Sequence, residues 1–361
     1  MTSEILFKVL FRVSSKIFRK FVSKVRFLNF IENQKLSGLL GLIFLVSLCS
    51  SQAVALFSVD SETLDQKVHR LDSAERLNFM QIFTDVPQTF VNAASQAGLK
   101  DERGKWILTA GLTVPLLIYD QDLYLQTQKI GRQWGVSNSD NLKPYGNING
   151  FTLMWGPSDT SSALYFLGDG WVHLSGAAGL LGYGYFAHQN RPFNTAVEML
   201  NGFLCSTIFE QVLKRAFGRE DPGVQSYPGG AWRPFASQGD YDREKTRHDA
   251  FPSGHVMTTT LSFTVLRGNF PEYDDYLFPV QIVYTSALAF GMTNNGIHWV
   301  GDYPIGILLG YFFGRSALKM SHPKTTREPG TSLKTAWLQP EILPGVDSLT
   351  GEPMTSLRWQ F

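Results

Sequence analysis

Three short stretches of this chain hold residue types that handle oxyanions: KRAFGREDP (Lys214 to Pro222), PSGH (Pro252 to His255) and HWVGD (His298 to Asp302). PSGH directly precedes a run that reads as a helix. A helix N-terminus leaves amide N–H groups unpaired and carries a partial positive charge. Ser253 adds a hydroxyl there, and Gly254 lets the backbone come close to a bound anion, for which phosphate is the natural choice. His255 stands beside it, able to give a proton to a leaving oxygen near neutral pH. His298 and Asp302 are four apart and share a face on a helical turn. A carboxylate bonded to one ring nitrogen fixes the tautomer and raises the nucleophilicity of the other. Lys214 supplies positive charge for phosphoryl oxygens.

Taken singly, each has an ordinary reading. Ser253 is a plain N-cap, Lys214 complements a helix dipole, and a His/Asp pair at i, i+4 is a surface contact. Together, in this order and on helices of one bundle, they favour a phosphoryl-transfer site.

The elements that must position them read as helices. Periodic apolar residues predict helices over Asn194–Phe217, His255–Leu266, Leu277–Thr293 and Val300–Lys319. Small residues in Gly170–Phe186 (Gly176, Ala177, Ala178, Gly179, Gly182, Gly184) suit close helix approach, and Ser73–Phe90 has helical periodicity. Trp106–Asp120 is apolar but short for a bilayer span. Residues 121–160, rich in Gly, Asn, Asp and Ser, read as loop, with Asp120 and Asp122 in an exposed turn. Gly218–Phe251 is a loop of uncommon length. β-like alternation is scarce before residue 335, after which Ala336–Leu343 and Met354–Phe361 read as two short strands. The expected fold is all-α, a helical bundle with a short C-terminal β-hairpin-like tail.

In these motifs the chain resembles the type 2 phosphatidic acid phosphatase superfamily, which also contains bacterial acid phosphatases, lipid-phosphate phosphatases and vanadium haloperoxidases. The family pattern is Lys, six residues, Arg-Pro; then Pro-Ser-Gly-His; then Ser-Arg, five residues, His, three residues, Asp. The resemblance covers about residues 160–320. It implies a helical bundle and a metal-free phosphatase working through a phosphohistidine, with no cofactor. Carried over, His298 attacks phosphorus, Asp302 orients it and His255 protonates the leaving group, while Ser253, Gly254 and Lys214 hold the phosphoryl oxygens.

Two departures both remove positive charge. Asp221-Pro222 stands where the family has Arg-Pro, and Gly291-Met292 where it has Ser-Arg. Such arginines clamp phosphate bidentately, and losing one contact costs on the order of a few kcal/mol of transition-state stabilisation. Replacements nearby are Arg219, taken as a phosphate ligand, together with Arg215, Arg233 and Arg247. Asp221 is expected to pair with one of these arginines, the alternative for Arg219 and Arg233 being an exposed loop charge.

Composition bounds the rest. The 361 residues, 43% hydrophobic and 13% aromatic, fit a packed globular protein, and a net charge of +1 offers nothing to nucleic acid. A mean hydropathy of −0.08 argues against a chain made mostly of membrane spans. With only Cys49 and Cys205, a structural disulfide is not expected. No zinc or calcium spacing is present. Residues 1–35 carry eight basic and two acidic residues; Lys8, Arg12, Lys16, Lys20 and Lys24 recur every four positions between apolar ones, a pattern for an anionic membrane surface. Ser37–Ala55 is an apolar run ending in small residues, read as an export signal cleaved near Ala53 or Ala55, or else as an anchor.

The expected division is a leader at 1–58, a helical and loop region at 59–160, a phosphatase-like core at 161–320 and a Pro-rich tail at 321–361. The functional expectation is a phosphomonoesterase outside the cytoplasm, periplasmic or at the outer face of a membrane, with lipid phosphates among its candidate substrates. Two alternatives stand beside it. One is a non-catalytic anion-binding or envelope-scaffold relative, and the other a vanadate-dependent haloperoxidase.

Overall fold

The computed structural model describes residues 63–138, 141–148, 151–321, 341–346 and 353–358. The basic stretch and the apolar run of the leader lie outside the described residues. The chain divides into two compact units, 1–321 and 322–361.

Eleven α-helices are present among the described residues, in keeping with the all-α expectation. Three come first: α1 (Leu64–Asp72), opened by a capping box between Thr63 and Gln66, α2 (Gln81–Thr84) and α3 (Val86–Ala97). α4 (Arg103–Gln133) follows at 31 residues, so the loop expected over 121–160 is corrected. Thr113, Leu116, Asp120, Tyr124, Thr127, Ile130 and Gly131 recur at helical spacing and are buried. Because most of them are polar or small, a hydrophobic pattern does not reveal the helix. β1 (Leu142–Ile148) and β2 (Phe151–Pro157) then form an antiparallel hairpin, Leu142 opposite Pro157, which the Pro and Gly in both strands had hidden.

After α5 (Thr160–Phe166) and α6 (Gly170–Phe186) comes α7 (Asn190–Phe217), which is buried for most of its length. Of the small residues in α6, Gly184 makes a close approach, to Phe193 of α7, whereas Gly176, Gly179 and Gly182 face open space. The chain continues through α8 (Gln238–Arg243), α9 (Gly254–Asn269), α10 (Asp274–Asn294) and α11 (Tyr303–Ala317). Met199, Phe203 and Cys205 of α7 pack with Leu261 and Val265 of α9 and Phe313 of α11 as one core. A stripe on α11 brings α9 to backbone distance: a Cβ at Gly306 would lie 2.6 Å from the Ser253 carbonyl oxygen, and at Gly310 2.3 Å from that of Met257. PSGH and HWVGD are thereby indexed to one another. In the second unit, β3 (Glu341–Val346) pairs antiparallel with β4 (Pro353–Arg358), Glu341 opposite Arg358.

Candidate active site

Lys214 sits in the last turn of α7, Ser253 and Gly254 at the start of α9, and His298 and Asp302 just before α11. The turn Val300–Asp302 is a 3-10 turn, so His298 and Asp302 do not share an α-helical face. Instead the chain folds Asp302 back, and its Oδ2 accepts from the Trp299 amide at 2.8 Å.

His298 is 2% exposed, and its Nδ1 lies 2.7 Å from the Ala250 carbonyl oxygen. A carbonyl only accepts, so Nδ1 carries the proton and Nε2 keeps its lone pair. Asp302 Oδ2 is 3.6 Å from the same nitrogen. It is placed to stabilise positive charge on the ring, while the hydrogen bond that sets the tautomer comes from the backbone.

Asp302 is held from behind. Arg219, 1% exposed, donates from Nη1 to Asp302 Oδ1 at 2.6 Å and from Nη2 to Asp120 Oδ2 at 2.7 Å. Asp120 also accepts from the Gly301 amide at 2.8 Å. Burial pushes the Asp120 carboxyl up to about 6, with Arg219 opposing and Asp302 adding to the rise. Arg219, expected at the phosphate, is therefore committed to two carboxylates. Asp120, read as part of an exposed turn, is fully buried in the middle of α4. Its signal in the sequence was helical spacing with Leu116 and Tyr124.

At the end of α7 Lys214, 6% exposed, reaches Glu210 Oε1 at 2.8 Å and Asp249 Oδ2 at 3.7 Å. Burial works against its charge, but Glu210 and Asp249 outweigh that and hold the ammonium above the ordinary lysine value. Glu210 packs so tightly on the helix start that a Cβ on Gly254 would lie 2.0 Å from its Oε1. Glu210 and Asp249 were not singled out from the sequence, although the i, i+4 spacing of Glu210 to Lys214 was a usable signal.

Ser253 bounds α9 as its N-cap residue, yet its hydroxyl makes no capping hydrogen bond. It is fully buried, and Oγ has no hydrogen-bond partner among the described residues. His255 lies over the pocket, its ring centroid 5.6 Å from that of His298 and 5.0 Å from that of Tyr165. Burial, then the charges of His298 and Lys214, hold it well below the usual imidazole range.

The other candidate arginines turn elsewhere. Arg233 pairs with Glu220 at 3.2 Å, Arg247 with Glu244 at 2.8 Å, and Arg215 lies over the Tyr241 ring. Arg233, Arg243, Arg247 and His248 line a cavity of about 580 Å³ on the long loop. Asp221, expected to pair with an arginine, makes no ion pair among the described residues, and its Oδ1 is buried without a partner. His173 of α6 lies within hydrogen-bond reach of Thr259 at 3.2 Å and Ser262 at 2.9 Å; burial lowers its pKa to about 4. Among the described residues no group of three His, Cys, Asp or Glu side chains is placed to hold a metal ion.

The arrangement sets the His255 and His298 rings side by side, and Glu210 links the Lys214 ammonium to the α9 start that carries Ser253 and Gly254. Comparison with curated proteins and with solved structures returned no match. The PAP2 superfamily model does match, over residues 195–326, a stretch containing Lys214, Ser253, His255, His298 and Asp302, so over these residues the chain is similar to the PAP2 superfamily.

Proposed function

We propose that this chain hydrolyses phosphate monoesters through a phosphohistidine on His298. The PAP2 superfamily generally comprises phosphoesterases. The observation that carries the finer reading is the Ala250 hydrogen bond, which leaves Nε2 of a buried histidine free to attack. In the first step the Nε2–P bond forms and the ester P–O bond breaks, and the departing oxygen takes a proton from His255. In the second, water attacks the phosphohistidine and gives a proton back to His255. A bound phosphate dianion reverses the local field at His255, so protonation of this ring accompanies substrate entry. Lys214, the Ser253 hydroxyl and the α9 N-terminus stabilise the phosphoryl oxygens.

Exposed apolar side chains support a lipid phosphate or a membrane-proximal substrate: Ile107, Val114 and Ile118 on α4, and Tyr276, Val280 and Val283 on α10. No described helix is long and apolar enough to cross a membrane. With the leader, these features favour action at the outer face of a membrane.

The test is phosphate release from p-nitrophenyl phosphate and from a short-chain phosphatidic acid. His298→Ala is expected to lower release at least about a thousand-fold while the fold is kept. Equal release by the variant would sink the phosphohistidine. No release by the folded wild type would favour the anion-binding reading instead, to which the absence of a site-facing arginine among the described residues already points.

A further inference from the structure

Residues 219–221 run extended between the end of α7 and the 3-10 turn Pro222–Val224. Arg219 forms isolated bridges to Trp232 and Asp249, and Asp221 has φ −66° and ψ 149°. Alternate side chains of extended backbone face the same side. Arg219 points to Asp302. Glu220 turns the other way, accepting from Ser226 and Ala231 and pairing with Arg233. Asp221 comes next, its amide donating to the Thr246 carbonyl oxygen at 2.8 Å. Its residue is 6% exposed and its Oδ1 is unpartnered among the described residues, as is the fully buried Ser253 Oγ. The charges that act on it are those of Asp249 and Lys245 from the long loop, Lys214 from α7 and Asp302 from the turn before α11. Lys214 and Lys245 bracket Asp249 Oδ2, at 3.7 Å and 3.8 Å.

We propose that Asp221 is an oxyanion-binding residue that works as a neutral carboxylic acid, donating its proton to an anion held by Lys214, Ser253 and the start of α9. This rests on the phosphatase reading of the site. An ionised carboxylate has acceptors only and would repel the ligand, whereas the acid form has one O–H donor. Burial, then Asp249, push the carboxyl well above the usual range, and Lys214 offsets them only in part. An arriving anion pushes in the same direction. Binding therefore takes up a proton at Asp221, and affinity falls as rising pH ionises it. An arginine at this position would hold its charge at every working pH; an aspartic acid ties anion capture to acidity.

Calorimetric titration with inorganic sulfate, a dianion from about pH 5 to pH 8, tests this on the wild type, Asp221→Asn and Asp221→Ala. Asn keeps a donor and does not titrate. It is expected to match the wild type at pH 5 and to bind about tenfold more tightly than it at pH 8. Ala has no donor and is expected to bind about tenfold more weakly than the wild type at pH 5. All other residues are the same in the three proteins, so the differences between profiles isolate position 221. The proposal is overturned if Asn follows the wild type at both pH values, if Ala equals Asn, or if the wild type binds no sulfate at pH 5. A sulfate pattern as expected, without His298-dependent phosphate release, would remove the phosphatase and leave the acid-gated anion site standing.

Discussion

On one side of the pocket, His298, Asp302, Arg219 and Asp120 form a closed chain of interactions reaching from α4 to the start of α11. On the other, Lys214 is balanced by Glu210 and Asp249, but Ser253 and Asp221 keep buried polar atoms with no partner among the described residues. The first side is finished by the protein itself and fixes His298. In the proposed reading the second is finished by a ligand, because a buried donor without a partner is costly until something accepts from it. Rigidity and receptivity are thus separated within a single site.

Breaking the closed side should have the largest effect. Arg219→Met leaves Asp120 and Asp302 buried without their cation, and we expect a loss of about 3–5 kcal/mol of stability in denaturant titration. A loss under about 1 kcal/mol would mean that the chain is not closed in this way.

A carboxylate buried without a cation sharpens the same contrast. Glu198 in α7 is fully buried and bonded to neutral partners, Asn269 and Ser321, and burial pushes it up to about 7. Its folded pKa lies above its unfolded one, so its contribution is fully present below about pH 4.5 and is lost as pH rises through about 7. Between those limits the wild type should lose roughly 3 kcal/mol from this group, and Glu198→Gln should flatten that slope. Parallel pH profiles for the two proteins would refute the assignment.

The smallest effect belongs to the receptive side. Ser253→Ala should alter stability by less than about 0.5 kcal/mol, where an N-cap serine that bonds its helix typically costs about 1 kcal/mol. Its sulfate or phosphate affinity should nonetheless fall. A full capping loss would show that the hydroxyl serves the helix rather than a ligand.

The three motifs were legible because they combine residue type with spacing, and α7, which carries Lys214, and α9 and α11, which begin just after Ser253 and Asp302, followed from apolar periodicity. What stayed hidden was the compensation. Asp120 lies 99 positions from Arg219, and no local pattern announces a contact that only packing of α4 brings about. For the same reason Arg219 read as a phosphate ligand, since its charge was visible and its partners were not. α4 was not read as a helix because Thr113, Asp120, Thr127, Gly131 and their neighbours are buried yet polar or small. The acceptor for His298 was unreadable in principle, because a carbonyl belongs to every residue.

That acceptor has a further meaning. No side-chain exchange at position 250 can delete the oxygen that holds the His298 proton on Nδ1; only displacement of the backbone around Asp249, Ala250 and Phe251 can. The same short segment presents Asp249 to Lys214 and leads directly into Pro252 and Ser253. The placement of the loop's base and the tautomer of His298 are therefore linked, so a substitution far out on the loop that shifts its base would be felt first as a change in which ring nitrogen carries the proton.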